Sequence, residues 1–137
     1  MSFLPPNSLI VAGPVIVENG KVLLNKEKKP SGPSLWMFPG GKVEDFSLPL
    51  EESCRREARE ELGIELADLR LFKIIISQCP EKKDDLAILV HFLAKRVSEV
   101  KPGPETIEWG WQDINNLPPD CAENVYTVIE ELKSQKL

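Results

Sequence analysis

Apolar residues fall in short blocks along the chain, separated by glycine, proline, asparagine and lysine-rich segments. The first block, Leu9 to Val17 (LIVAGPVIV), reads as a strand, with Gly13–Pro14 suggesting a bulge or a sheet edge. Asn19–Gly20 then predicts a tight hairpin turn into Lys21–Leu24, because both residues accept positive φ. Residues 26–34 (KEKKPSGPS) are polar and proline-containing, and read as a mobile loop. Leu35 to Phe38 reads as a short strand ended by Pro39-Gly40-Gly41. From Pro49 to Leu62 the spacing predicts a helix, with proline tolerated in the first turn and Gly63 as the stop. Residues 69–78 and 86–97 are β-rich runs joined by a charged loop, 80–85. The second run is almost continuously apolar, as in a strand covered on both faces. Ile107 to Trp111 is another short strand. Residues 121–136 form a last amphipathic helix, with Val125, Val128, Ile129 and Leu132 at helical spacing. The order predicts an α/β fold of the α+β type, a mixed sheet with helices packed on it. With no repeat and no linker, residues 1–137 read as one domain.

Composition narrows the function. With 137 residues, 42% hydrophobic and 28% charged, the chain is ordinary globular material, large enough for a real core. Its net charge of −5 is a poor match for a polyanion, so long nucleic acid is not an expected partner. The block Leu9–Val17 is too short and too broken to span a bilayer, and no basic segment precedes it. Neither a membrane association nor a signal peptide is expected. Cys54, Cys79 and Cys121 are far apart and form no C-x-x-C, which fits reduced, buried thiols and a cytoplasmic location better than a zinc or redox site. The single histidine, His91, lies among apolar residues in a strand and reads as a satisfied core histidine. Without a G-x-S-x-G motif it offers no serine-type triad.

The informative segment is GGKVEDFSLPLEESCRREAREELGI, residues 40–64. On a helix, Glu57, Glu60 and Glu61 fall within one arc of about 100°. Cys54, Ala58 and Leu62 form the neighbouring apolar stripe that docks the helix. Three carboxylates so arranged repel one another unless solvent screens them or cations neutralise them. Hard divalent cations suit such a site, because Mg²⁺ takes oxygen ligands from a few carboxylates together with substrate phosphates. The plain alternative is a solvated acidic face with Arg55, Arg56 and Arg59 as intrahelical partners.

The glycine pair after a strand, followed by Arg56-Glu57-Ala58-Arg59-Glu60-Glu61-Leu62-Gly63-Ile64, resembles the Nudix box, G-x5-E-x7-R-E-U-x-E-E-x-G-U with U aliphatic. Leu35-Trp36-Met37-Phe38-Pro39-Gly40-Gly41 is similar to the family's approach to the box. The resemblance implies a Nudix-like mixed β-sheet sandwiched between helices. It also implies a hydrolase, dependent on Mg²⁺ or Mn²⁺, that cleaves a nucleoside diphosphate linked to another moiety. The short chain favours a nucleoside triphosphate cut to monophosphate and pyrophosphate. ADP-ribose, dinucleoside polyphosphates and a nucleotide-binding module with weakened turnover stay open. By position, Glu57, Glu60 and Glu61 would ligate metal with the Gly40 carbonyl, and Arg56 would orient Glu57. Family members are often dimers, so a homodimer stays open too.

The sequence departs from the box in one place. Counting back eight from Arg56 reaches Leu48, so the loop 45–49 carries an extra residue and the first box glutamate is missing or displaced, with Glu44 or Glu51 as substitutes. This weakens the expected support of Arg56 more than metal binding itself. Glu57 leads as general base and Glu105 is the second candidate, set against a plain surface charge. Asp84 and Asp85 read as solvated. Lys26 and Lys42 are candidate phosphate contacts. Trp36 is the candidate stacking surface for a base, although core packing is the commoner use of Trp36, Trp109 and Trp111.

Overall fold

The computed structural model describes residues 7–78 and 85–135. Strands β1 (Leu9–Val15), β2 (Val17–Glu18), β3 (Lys21–Lys29), β4 (Gly32–Pro33) and β5 (Gly41–Lys42) precede helix α1 (Leu50–Leu62). Strands β6 (Leu66–Gln78), β7 (Leu86–Arg96) and β8 (Thr106–Asp113) follow, then helix α2 (Glu123–Ser134). The Asn19–Gly20 turn forms as its residues dictate, with φ of 52° and 75°. It folds β3 back on β2, with Val17 opposite Val22.

The strands make two four-stranded sheets. One has the order β5-β1-β7-β6, parallel only between β1 and β7. In the other, β3 pairs with β2, β4 and β8. Period-two alternation turns each inner strand toward both helices. In β3, Leu23 joins a buried cluster with Cys54, Ala58 and Leu62 of α1, while Val22 and Leu24 join Val125, Val128, Ile129 and Leu132 of α2. In β7, Val90 and Phe92 face the first cluster and Leu93 faces the second. The expected sandwich of sheet between helices is therefore present, and the continuous apolar run of β7 marks a strand covered on both sides. Burying a side chain such as Leu62 or Ile129 contributes roughly 1.5–3 kcal/mol.

Helix α1 starts after Pro49 without a side-chain cap, and Glu51 and Glu52 in its first turn favour the positive end of the dipole. It stops at Gly63, whose φ of 62° is left-handed and whose N–H reaches the Arg59 carbonyl at 3.0 Å. The carboxylate row is thus held on a rigid helix whose other face is core.

Several expectations change. The loop expected at 26–34 is mostly strand: β3 runs on to Lys29 and returns through β4. The Ser34 N–H donates to the Glu27 carbonyl at 2.9 Å, and the Glu27 N–H to Ser34 Oγ at 2.9 Å. The strand expected at Leu35–Phe38 is reduced to isolated bridges, Asn25 with Met37 and Trp36 with Cys121, and Pro39 has no N–H to extend it. Asp85 is buried rather than solvated, at the start of β7, where the Leu86 N–H donates to Ser8 Oγ. Asp84 and Cys79 lie outside the described residues. Cys54 and Cys121 are buried free thiols, and burial pushes the Cys54 thiol up to about 12, which makes it inert. His91 is a satisfied core residue. Asn124 donates to its Nε2 at 3.0 Å, and its Nδ1 donates to the Lys73 carbonyl at 3.0 Å. Burial holds its pKa below the usual value, so the ring is neutral. Among the described residues no helix is long and apolar enough to cross a membrane.

Candidate metal and active site

The site is built where the outer side of α1 meets the segment 39–42 and the far end of β3. Glu61 sits at its centre. The Gly40 N–H donates to Glu61 Oε2 at 2.7 Å. Gly40 reaches this position because its Cα lies against β1, where a Cβ would meet the Ala12 carbonyl at 2.9 Å. Burial is the first cause that pushes the Glu61 carboxyl up to about 10, and the Glu27 side chain that bonds it is the second.

Glu57, one turn earlier, has a side chain only 12% exposed, and Arg56 Nη2 donates to its Oε1 at 3.0 Å. Its carboxylate lies in the space a side chain at Gly41 would fill. Burial raises its pKa, and the Arg56 hydrogen bond partly offsets that rise. Gly41→Ala is expected to displace this carboxylate. The melting temperature should stay within a few degrees, since a flexible side chain yields rather than backbone. Turnover should fall by roughly 10–100-fold, read from kcat beside a thermal melt.

Glu27 is the member that sequence reasoning missed. It lies in β3 where the pairing with β8 shifts register, Ile107 of β8 being the extra residue, and is 15% exposed at its side chain. It bonds Glu61, and its charge also raises the pKa of Glu57. Its position in KEKKPSGPS looked like loop, and no local signal distinguishes it from the neighbouring charges. Asn25 projects from the same face of β3, one pleat earlier. It is fully buried, and among the described residues neither its Oδ1 nor its Nδ2 has a hydrogen-bond partner.

The structure does not bring every candidate residue together. Glu60 is 63% exposed and reaches toward Arg56 Nε at 3.9 Å. Glu105 is exposed at the start of β8, where its carbonyl accepts from the Lys28 N–H at 3.0 Å. Lys42 is exposed, and its carbonyl accepts from Arg56 Nη2 at 3.2 Å. Lys26 points to the opposite face of β3, where it bonds Asp120 at 2.8 Å and lies 5.2 Å over the Trp36 ring. Trp36 is buried in the α2 cluster. Trp109, opposite Asn25 in the β3–β8 ladder, is the more open ring, at 37% exposed. Around the departure at Leu48, Glu44 and Glu51 are both exposed, and Arg56 Nε is buried with no hydrogen-bond partner among the described residues.

Glu27, Glu57 and Glu61 are all hard oxygen donors, and they lie together with the Arg56 guanidinium on Glu57 and the Lys29 ammonium on Glu27. This set fits a hard divalent cation. Among the described residues no three acidic, histidine or cysteine side chains yet converge into a cage.

The NUDIX domain family model matches residues 7–132. The chain belongs to the Nudix family. An 8-oxo-dGTP diphosphatase of Buchnera aphidicola is 38% identical over 66 residues, which is 48% of this chain and 50% of that protein. An ADP-ribose pyrophosphatase of Methanocaldococcus jannaschii is 30% identical over 104 residues, 76% of this chain and 61% of that protein. The Nudix chain therefore spans between about half and two thirds of these relatives. The crystal structure of a MutT NUDIX hydrolase from Burkholderia pseudomallei superposes with a TM-score of 0.80 at 25% identity, covering 92% of this chain and 98% of that one. An Ap4A hydrolase of C. elegans shares the fold, with a TM-score of 0.74 at 19% identity over 93% of this chain and 97% of that one.

Proposed function

We propose that this Nudix protein hydrolyses a phosphoanhydride bond in a small nucleotide, with Mg²⁺ or Mn²⁺ as cofactor. The observation that carries this reading is that Glu61, held by the Gly40 N–H, lies beside the carboxyls of Glu27 and Glu57. A divalent cation bound there supplies charge neutralisation to a diphosphate and lowers the pKa of a water. Glu61, fixed by Gly40, and Glu57, fixed by Arg56, would hold the ion, with the exposed Glu60 as a further carboxylate on the same helix. Glu57 is also the general base. The Arg56 hydrogen bond would fix the direction in which it accepts the proton of the attacking water. Lys42, exposed beside Gly41, meets the substrate phosphates, whereas Lys26 already spends its charge on Asp120.

A nucleoside triphosphate cleaved to monophosphate and pyrophosphate is the favoured substrate. Its support is the likeness of about half of this chain to 8-oxo-dGTP diphosphatases. ADP-ribose is the second reading, favoured by the longer stretch shared with the archaeal ADP-ribose pyrophosphatase. A panel of canonical and oxidised nucleoside triphosphates, ADP-ribose and dinucleoside polyphosphates, incubated with the protein and Mg²⁺, separates them. Pyrophosphate release from triphosphates is the expected result. Release of AMP from ADP-ribose alone selects the second reading. Binding without turnover on any member would mean that the altered box loop has left only a nucleotide-binding module.

A further inference from the structure

We infer that Glu27 of β3 is a ligand of the divalent cation, facing the carboxylates of α1 across the site. This rests on the metal-dependent reading above and adds a ligand from outside the box helix. Four observations carry it. Strand alternation turns Glu27 to the same side of β3 as Leu23, which packs in the cluster with α1. Its backbone is clamped through both its N–H and its carbonyl by Ser34, so the side chain is placed by structure rather than by a loose loop. The side chain is largely buried against Glu61 even though Lys29, its cationic partner at 3.2 Å, stands on the exposed side. A carboxylate turned inward onto two others gives up solvent, which is unfavourable unless something positive joins them. Finally, the Asn25 amide, which has no partner among the described residues, is buried on the same face, one pleat deeper. A buried amide with no protein partner marks a spot where a polar ligand or its water shell is missing. Glu27 and Asn25 thus form one row on β3, and Glu57 and Glu61 form the facing row on α1.

The test is calorimetric titration of the full-length protein with Mn²⁺ alone, wild type against Glu27→Gln. Gln keeps the size of the side chain and can still hydrogen-bond Glu61, so a merely structural partner is preserved while the anionic ligand is lost. Mn²⁺ affinity is expected to fall by roughly tenfold or more, with an unchanged far-ultraviolet spectrum. A fall of less than about fivefold, half of that expectation, overturns the assignment of Glu27. In that case the metal-dependent reading stands as long as the wild type binds. A wild type that takes up no Mn²⁺ overturns both. Should the Gln chain fail to fold, Glu27→Asp, which keeps the charge but withdraws the carboxylate by one methylene, is judged by the same threshold.

Discussion

Replacing Glu61 by Gln is expected to lower turnover by about 10²–10³-fold while making the metal-free protein more stable. The two signs follow from one place in the structure. Glu61 is a half-buried carboxyl that accepts from Gly40, and the Glu27 carboxyl bonds it from the opposite side. Its anionic form is what a divalent cation needs and what the empty protein disfavours. Gln keeps the acceptor for the Gly40 N–H and supplies the donor toward Glu27 at every pH, so the fold no longer has to take up a proton at this position. A gain in stability at pH 8 that shrinks as the pH falls toward the normal carboxylate range is expected, read from denaturant or thermal unfolding in chelator. Activity near that of the wild type, or a less stable metal-free variant, would show that Glu61 is an ordinary structural acid.

The second large effect is a stability that falls as pH rises. In the unfolded chain Glu61 titrates in the normal carboxylate range, and in the fold it is raised to about 10. Between those values the folded state holds a proton that the unfolded state has lost. Unfolding free energy therefore decreases with pH across that window, and the contribution is complete only below the unfolded pKa. Glu57, also raised, acts in the same direction. The expected slope in chelator is on the order of 1 kcal/mol per pH unit for Glu61 alone. Mn²⁺ or Mg²⁺ should reverse it, because the ion binds the deprotonated carboxylates and gains affinity as pH rises. Melting temperatures at pH 6 to 9, with and without metal, check this. A metal-free stability that rises over that range would contradict the placement of Glu61.

Much of the fold was legible in the sequence because its signals are local. The Asn19–Gly20 turn, the stripe Cys54–Ala58–Leu62 and the stop at Gly63 each follow from the residues at those positions, and the structure has them there. The arc of Glu57, Glu60 and Glu61 was equally legible, since helix geometry alone sets it. What the sequence hid depends on pairing between distant segments. Glu27 lies in a polar stretch that any turn would resemble, and only the β3–β4 return, which carries strand alternation on past Asn25, turns it inward. Lys26 looked like a free phosphate-binding cation beside it, but strand alternation sends it to the other face, where Asp120 takes its charge. The extra residue near Leu48 was visible by counting. Its surroundings, with Glu44 and Glu51 on the surface and Arg56 Nε buried with no hydrogen-bond partner among the described residues, were not.

The central claim is that carboxylates facing one another at the end of α1 exist to hold a divalent cation against a nucleotide. Titration calorimetry with Mn²⁺ at pH 8, in the presence of a non-hydrolysable nucleoside triphosphate, tests it most directly. The account predicts saturable uptake by the wild type and a loss of most of that affinity in Glu61→Gln. No uptake by the wild type, or equal uptake by both proteins, would contradict it.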